Sequence, residues 1–568
     1  MIGARKGGFS MQATYTVLSP WAKSDYLDKR PINPRLDSLA GKTIGLYASF
    51  KEYHPFFMQE VERQLQAALP DTRFSHFTYI VDATEIRSDP DNYPRFLEWL
   101  QGVDGVVGVG ADMGSCSLYM GYNFAEIERL GKPAVLLSKY QYLSSATKGA
   151  AARQYPGLRI LTYDGPGFVP NGVDCNRWTI DTYHDVIAAL VPGIIDAFTR
   201  PLTDEEAAPA PAKDWSQETF TGTLDEINAW MYTHGWTNGT PVVPPTREAV
   251  DEMLRGTDLP ADHVVAELPP LMGKATVEKI AINGLMAGCL PTYMPLLIAM
   301  AEGMADRVIQ LEGWTCSNAG WAPTIVVSGP IRKAIGINSG RNLFSPYTKA
   351  ASCLARAMAY MILNISGCRS QIEDMSGPGS DCRFGICIAE NEEESPWDSL
   401  PTDFGLAPGA NAVTLFWPSE HHQLPTASPS ATLGQLCGLW HGGFDVGAMI
   451  TLPPECAKLF ADAGYSKQAI LDYVKEYNRR PSSEIPRAAI GNNHPRPGLV
   501  FPADGLVHSA PLFWNTSHMF VVVGGRDWGM AYLGGGDHGG PVCKEAKLPA
   551  NWDQLAREYQ MDLGHVDY

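Results

Sequence analysis

Short apolar runs alternate with stretches of helical periodicity through the first 200 residues, and this alternation limits the fold more than any other feature of the chain. The apolar runs fall at residues 42–49, 74–81, 104–111, 133–138 and 158–163. Residues 55–69, 92–101, 117–130 and 180–198 carry apolar side chains at helical spacing. A strand, a helix and another strand in series require a right-handed crossover, which buries the strands on both faces. The pattern therefore predicts an α/β doubly wound parallel-sheet N-terminal domain over residues 36–200, preceded by an N-terminal extension, 1–35.

Residues 201–217 (PLTDEEAAPAPAKDWSQ) lack apolar periodicity and read as a semi-extended linker. Beyond them, 218–568 reads as a larger mixed α+β C-terminal domain supplying most of a small-molecule pocket. A helix is predicted over 224–234, and a helix pair over 275–287 and 291–305 breaks at Gly288-Cys289-Leu290. Strands are predicted at 323–328, 412–417 and 519–524, with helices over 347–365 and 454–479. The apolar stretch 280–304 is interrupted by Pro291 and Pro295 and contains Asn283, so it reads as two buried helices and not a membrane crossing.

Composition excludes several classes. Across 568 residues, 45% hydrophobic and 19% charged content is that of a globular protein. A net charge of −18 argues against nucleic acid or an anionic membrane as partner, since phosphate binding needs clustered cations. Eleven cysteines at irregular spacing point to reduced thiols and a cytoplasmic location. Residues 1–12 carry Arg5 and Lys6 but no apolar core, so no secretory signal is expected. A homo-oligomer with a small-molecule substrate is the expected assembly.

The sharpest local feature is Gly108-Val-Gly-Ala-Asp112-Met113-Gly114-Ser115-Cys116-Ser117, between the third predicted strand and the helix after it. Ligands of doubly wound sheets sit outside the carboxyl ends of the strands, where such loops lie. A thiol there meets the positive end of the helix dipole and unpaired backbone N–H groups, an arrangement that favours thiolate. Cys116 thus reads either as a reactive thiol or as a small residue packing helix on sheet. The glycines are too few for a dinucleotide fingerprint.

The segment Asp112-Met113-Gly114-Ser115-Cys116, before Glu126-Ile-Glu-Arg-Leu-Gly-Lys-Pro133, resembles the signature region of the UGSC (seleno)protein family, named for selenocysteine or cysteine followed by Gly-Ser-Cys. Arg35-Leu-Asp-Ser-Leu-Ala-Gly-Lys42 continues the resemblance, and stretches such as 235–245, 275–291 and 390–397 look like a larger domain associated with that family. The resemblance implies thiol–disulfide oxidoreductase-like chemistry. The chain departs from the pattern at one position: Met113 stands where selenocysteine or cysteine is called for. A thioether cannot attack or close a disulfide, so Cys116 works as a single thiol, pairs with a distant cysteine, or has lost its chemistry.

Cys289, at the break between two helices, is a second candidate thiol, or else a packed helix-hairpin cysteine. Asp112, Met113, Ser115, Ser117, Asn283, Cys316 and Asn318 are the substrate-binding candidates; Cys316 reads as part of an aromatic, polar loop before a strand. Late histidines (His421, His422, His441, His494, His508, His518, His538) and the Gly-rich loop holding Asp537 and His538 offer an acid and an imidazole to a thiol. They equally open an iron, copper, zinc or haem reading, although no helical His pair supports a metal, no cofactor is assigned, and no CxxC pair exists. Glu390, Glu392, Glu393 and Glu394 read as a solvated acidic face, and Trp314, Trp321, Trp397, Trp417 and Trp440 as core or pocket wall. The expectation is a thiol-dependent enzyme using Cys116, Cys289 or both, with His538 and Asp537 in support. Oxidoreductase, lyase or hydrolase chemistry and a non-catalytic binding protein stay open.

Overall fold

In the computed structural model, residues 13–49, 54–79, 85–110, 114–165, 180–317, 319–370, 372–377, 379–380, 383–425, 428–439, 447–481, 509–511, 516–527, 529–534 and 539–560 are described. The first strand, β1 (Thr14–Leu18), lies within the N-terminal extension. It pairs antiparallel with Thr219–Thr223 from beyond the predicted linker.

The expected alternation follows. β2 (Thr43–Ala48), α1 (His54–Ala68), β3 (Arg73–Thr78), α2 (Tyr93–Gln101), β4 (Gly105–Val109), α3 (Gly114–Arg129), β5 (Ala134–Lys139), α4 (Leu143–Ala152), β6 (Arg159–Tyr163) and α5 (His184–Thr199) build a five-stranded parallel sheet of order β3-β2-β4-β5-β6. Helices cover both faces. Ile44, Leu46, Val107 and Val135 pack with α1 and α5. The alternating residues Tyr47, Val106 and Leu136 pack with α2, α3 and α4. Chain order reverses between β2 and β4, so the loop after β4, which leads into Cys116, sits at the switch point where such sheets hold ligands.

Three elements differ from the sequence pattern. Helix α4 is additional, its Ala- and Gly-rich run lacking strong periodicity. Ile180–Tyr183 is a tight 3₁₀ turn before α5 begins. The linker holds a four-residue helix, Asp204–Ala207, closed by a Thr203–Glu206 capping box. Glu206 is further gripped by the buried Arg159 guanidinium, which holds its carboxyl down at about 2.

In the C-terminal part, two four-stranded mixed sheets face each other. One runs in the order Ile386–Ala389, Thr324–Ser328, Ala412–Phe416, Val542–Glu545; the other Glu420–Pro425, Gly529–Gly534, Ala448–Leu452, Met519–Val523. Val326, Ile388 and Phe416 of the first meet Met449, Phe520 and Val522 of the second. Helices Val277–Met286, Met294–Met304 and Lys349–Met361 fill the largest core, with Trp314, Trp321 and Trp417 among them. The predicted 454–479 helix is two, Pro454–Asp462 and Lys467–Tyr477, parted at Gly464, whose φ of +86° suits glycine. The acidic run also departs from its reading. Glu390 is 1% exposed, accepting from the Ser328 hydroxyl and the Leu400 amide, while Glu392 and Glu393 grip the buried Arg332. Among the described residues no helix is long and apolar enough to cross a membrane.

Candidate functional site

The helix carrying Cys116 is held against α4 by two glycines. A Cβ at Gly121 would meet the Ala146 carbonyl oxygen, and one at Gly149 the Leu118 carbonyl oxygen, so the backbones touch. This pairing points Leu118, Tyr119 and Tyr122 of α3 outward from the sheet, into a cluster with Cys316, Cys368, Leu271 and Ile362 of the C-terminal part. Tyr122 donates to the Pro270 carbonyl at 3.3 Å. The Arg153 guanidinium lies 3.7 Å from the Tyr122 ring centroid and makes two 2.9 Å bonds to Glu85.

Opposite α3 stands the short helix Leu311–Thr315, with Cys316 at its C-cap. Cys316 was expected in an aromatic loop, but five residues are too few to print a helical period. Glu312 and Cys316 are four apart, so both reach toward α3 from one face. The Glu312 carboxylate accepts from the Tyr119 hydroxyl, and burial pushes that carboxyl upward. Tyr119 lies near both Cys116 and Cys316, and burial holds its phenol protonated. The Cys316 thiol is hydrogen-bonded to Cys368 and pushed well above the usual thiol range by that bond and by burial. Cys368 donates in turn to the Thr315 carbonyl at 3.2 Å.

Two hollows flank this array. A cleft of about 700 Å³ runs between the N-terminal and C-terminal parts, with Glu85, Asp89, Tyr119 and Arg153 on one wall and Glu267, Arg307 and Glu312 on the other. A second cavity, about 570 Å³, lies within the C-terminal part; Thr315, Cys368, Arg369 and Phe384 line it. Cys316 stands between the residues of the two.

The sequence candidates separate clearly against this geometry. Cys116 is 1% exposed in the first turn of α3, one turn before Tyr119. Ser115 and Ser117 are buried beside it, and the Ser115 hydroxyl has no hydrogen-bond partner among the described residues. Cys289 is elsewhere. It packs in the main core near Cys353 and Cys387, where burial raises its thiol well above the usual range. Gly288, at φ +89°, makes the turn that puts it there. Asn283, a substrate-binding candidate, is fully buried, and its amide is spent on Pro20, Lys279 and Asn364. That bonding ties the helix to the chain before β2 and leaves no amide group for a ligand. Asp112, Met113, Asn318, Asp537 and His538 lie outside the described residues, as do Cys382, Trp440, His441, His494 and His508. Among the described residues no three His, Cys, Asp or Glu side chains gather as metal ligands would.

Tyr119, Glu312, Cys368 and Arg153 escaped sequence reasoning. The spacing Glu312-x-x-x-Cys316 was the one available signal, and it required knowing that the segment is helical.

Fold and site together define a parallel α/β protein whose switch-point helix brings a thiol and a tyrosine to a second, mixed part of the chain. Over residues 16–174 the chain matches the model of the UGSC family. That match begins within β1, takes in β2 to β6 and Cys116, and does not extend to Cys289, Cys316 or Cys368. No curated protein and no solved structure matches the chain.

Proposed function

We propose that the protein is a thiol-dependent enzyme acting on a small organic molecule held in the cleft beside Tyr119 and Glu312. One observation carries the reading: a thiol-bearing helix from the N-terminal part and a glutamate–cysteine helix from the C-terminal part meet through Tyr119. Cys116 is the nucleophile of this scheme. Burial raises the Glu312 carboxyl above its ordinary range, which suits it to hold and return a proton, and Tyr119, which donates to it, lies near the thiol. The likeness to the UGSC family over 16–174 supports thiol chemistry in general. Met113, which cannot close a disulfide with Cys116, favours a covalent adduct of the hydrolase or lyase kind at this thiol.

The test is turnover of a panel of thioesters and activated esters by the wild type and by Cys116→Ala and Glu312→Gln. Loss of a reactive nucleophile is expected to reduce kcat by at least about a hundredfold in Cys116→Ala. Glu312→Gln should lower kcat more than it changes KM and flatten the pH profile. Undiminished turnover in Cys116→Ala overturns the reading.

A further inference from the structure

Cys316 and Cys368 are separated by 52 positions in the chain, yet their side chains pack in one buried cluster. Both are free thiols, and neither belongs to the segment that matches the UGSC family. Each is fixed by its own backbone: Cys316 closes the helix Leu311–Thr315, and Cys368 follows the turn at Gly367, where φ is +75°. The hydroxyl of Thr315 lies 3.7 Å from the Cys316 sulfur, and the Thr315 carbonyl accepts from Cys368. Thr315 therefore touches both thiols and holds them side by side.

Their surroundings differ in a useful way. Cys368 is on the wall of the 570 Å³ cavity together with Thr315, Arg369 and Phe384. Cys316 is not on that wall; it lies on the far side, toward Tyr119. One thiol meets what enters the cavity, and the other waits behind it.

We propose that Cys316 and Cys368 form a dithiol–disulfide couple that exchanges with a small-molecule disulfide entering this cavity, Cys368 attacking and Cys316 resolving. In the first step the Cys368 sulfur, its proton released, forms a bond to one sulfur of the substrate disulfide R–S–S–R. The substrate S–S bond breaks, and the first R–S⁻ leaves and takes up a proton. In the second step Cys316 releases its proton and attacks the Cys368 sulfur of the mixed disulfide. The Cys316–Cys368 bond forms and the second R–S⁻ leaves, also protonated. Two protein thiols are oxidised by two electrons, and one disulfide is reduced to two thiols. Two equivalents of a low-molecular-weight thiol reverse the sequence and restore the pair. The Cys316 proton, kept in place by burial and by its bond to Cys368, suits a thiol that acts second. This couple is independent of Cys116 and supplies the two-electron pair that Met113 denies to the UGSC-like segment.

Wild-type protein equilibrated with glutathione and oxidised glutathione at set ratios, quenched in acid, unfolded, alkylated and mapped by mass spectrometry tests the proposal. Oxidising ratios are expected to link the Cys316 and Cys368 peptides with loss of two hydrogens, fully reversed by excess thiol. Cys316→Ser is expected to trap one glutathione on Cys368, and Cys368→Ser to leave Cys316 alkylatable throughout. Both thiols alkylatable in the wild type at every ratio would overturn it, as would glutathione trapped on another cysteine in Cys316→Ser. Cys116→Ala is expected to keep the linkage while losing ester turnover. A linkage absent while Cys116-dependent turnover persists removes this inference alone.

Discussion

Glu390 follows directly on the strand Ile386–Ala389, and its carboxyl is closed in by the Ser328 hydroxyl and the Leu400 amide. Burial pushes it from 4.5 up to about 7. An unfolded chain loses that proton near 4.5 while the folded one keeps it to about 7, so unfolding releases a proton between those values. Stability from this group is full below 4.5 and is lost as pH rises to about 7. At about 1.4 kcal/mol per pH unit, the loss is roughly 3 kcal/mol across the window. Glu390→Gln keeps an acceptor oxygen for the Leu400 amide without the titration. Urea unfolding at pH 5 and pH 8 should therefore show the variant gaining on the wild type as pH rises. An unchanged difference between the two pH values refutes the assignment. In sequence this glutamate sat in an acidic run and read as solvated, because nothing in Asn391-Glu-Glu-Glu reveals that the first carboxyl of the group turns inward at a strand end.

At the scale of elements, α3 is the piece on which the site depends, and its placement rests on contact with α4. Gly121 and Gly149 let the two backbones meet, and a methyl at Gly121 would strike the Ala146 carbonyl and the Gly149 backbone, neither able to rotate away. Alanine improves helix propensity by about 1 kcal/mol, while overpacking costs about 1–3 kcal/mol and more where backbone is struck. Gly121→Ala is thus expected to lower stability despite the better helix former, read as a reduced Tm. A Tm equal to the wild type's would mean that the helices part without cost. β2 to β6, with α1, α2, α3 and α5, were legible because the strands are short continuous apolar runs and the helices between them carry apolar residues near a period of 3.6. Helix α4 was not, since alanine and glycine pack closely without marking a face. Nor was Leu311–Thr315, where five residues hold little more than one turn. Cys116 was legible as a thiol at a helix start, whereas the meeting of Tyr119, on the same helix, with Glu312, Cys316 and Cys368 depends on tertiary packing that no local pattern encodes.

Across the whole molecule, the N-terminal and C-terminal parts are stitched together by contacts beyond the connecting peptide itself. β1 belongs by its pairing to the strand Thr219–Thr223. The buried Lys279 ammonium donates at 2.7 Å to the carbonyls of Ser19 and Ser216, one on either side of the parallel sheet in sequence. Desolvation brings that lysine down to about 8, and loss of either carbonyl bond would leave a buried ammonium proton without an acceptor. On the site side, Tyr122 and Arg153 reach Pro270, Tyr119 reaches Glu312, and Lys148 donates to the Ile372 carbonyl at 2.5 Å. Residues 210–214 are exposed, by contrast, and offer a place to cut. A specific protease site introduced between Ala210 and Lys213 should be cleaved while the two fragments stay together, eluting as one particle with the Cys316–Cys368 exchange and the Cys116-dependent turnover intact. If the fragments separate on cleavage in buffer of physiological ionic strength, the contacts around Tyr119 and Lys279 do not hold the site, and the peptide link does.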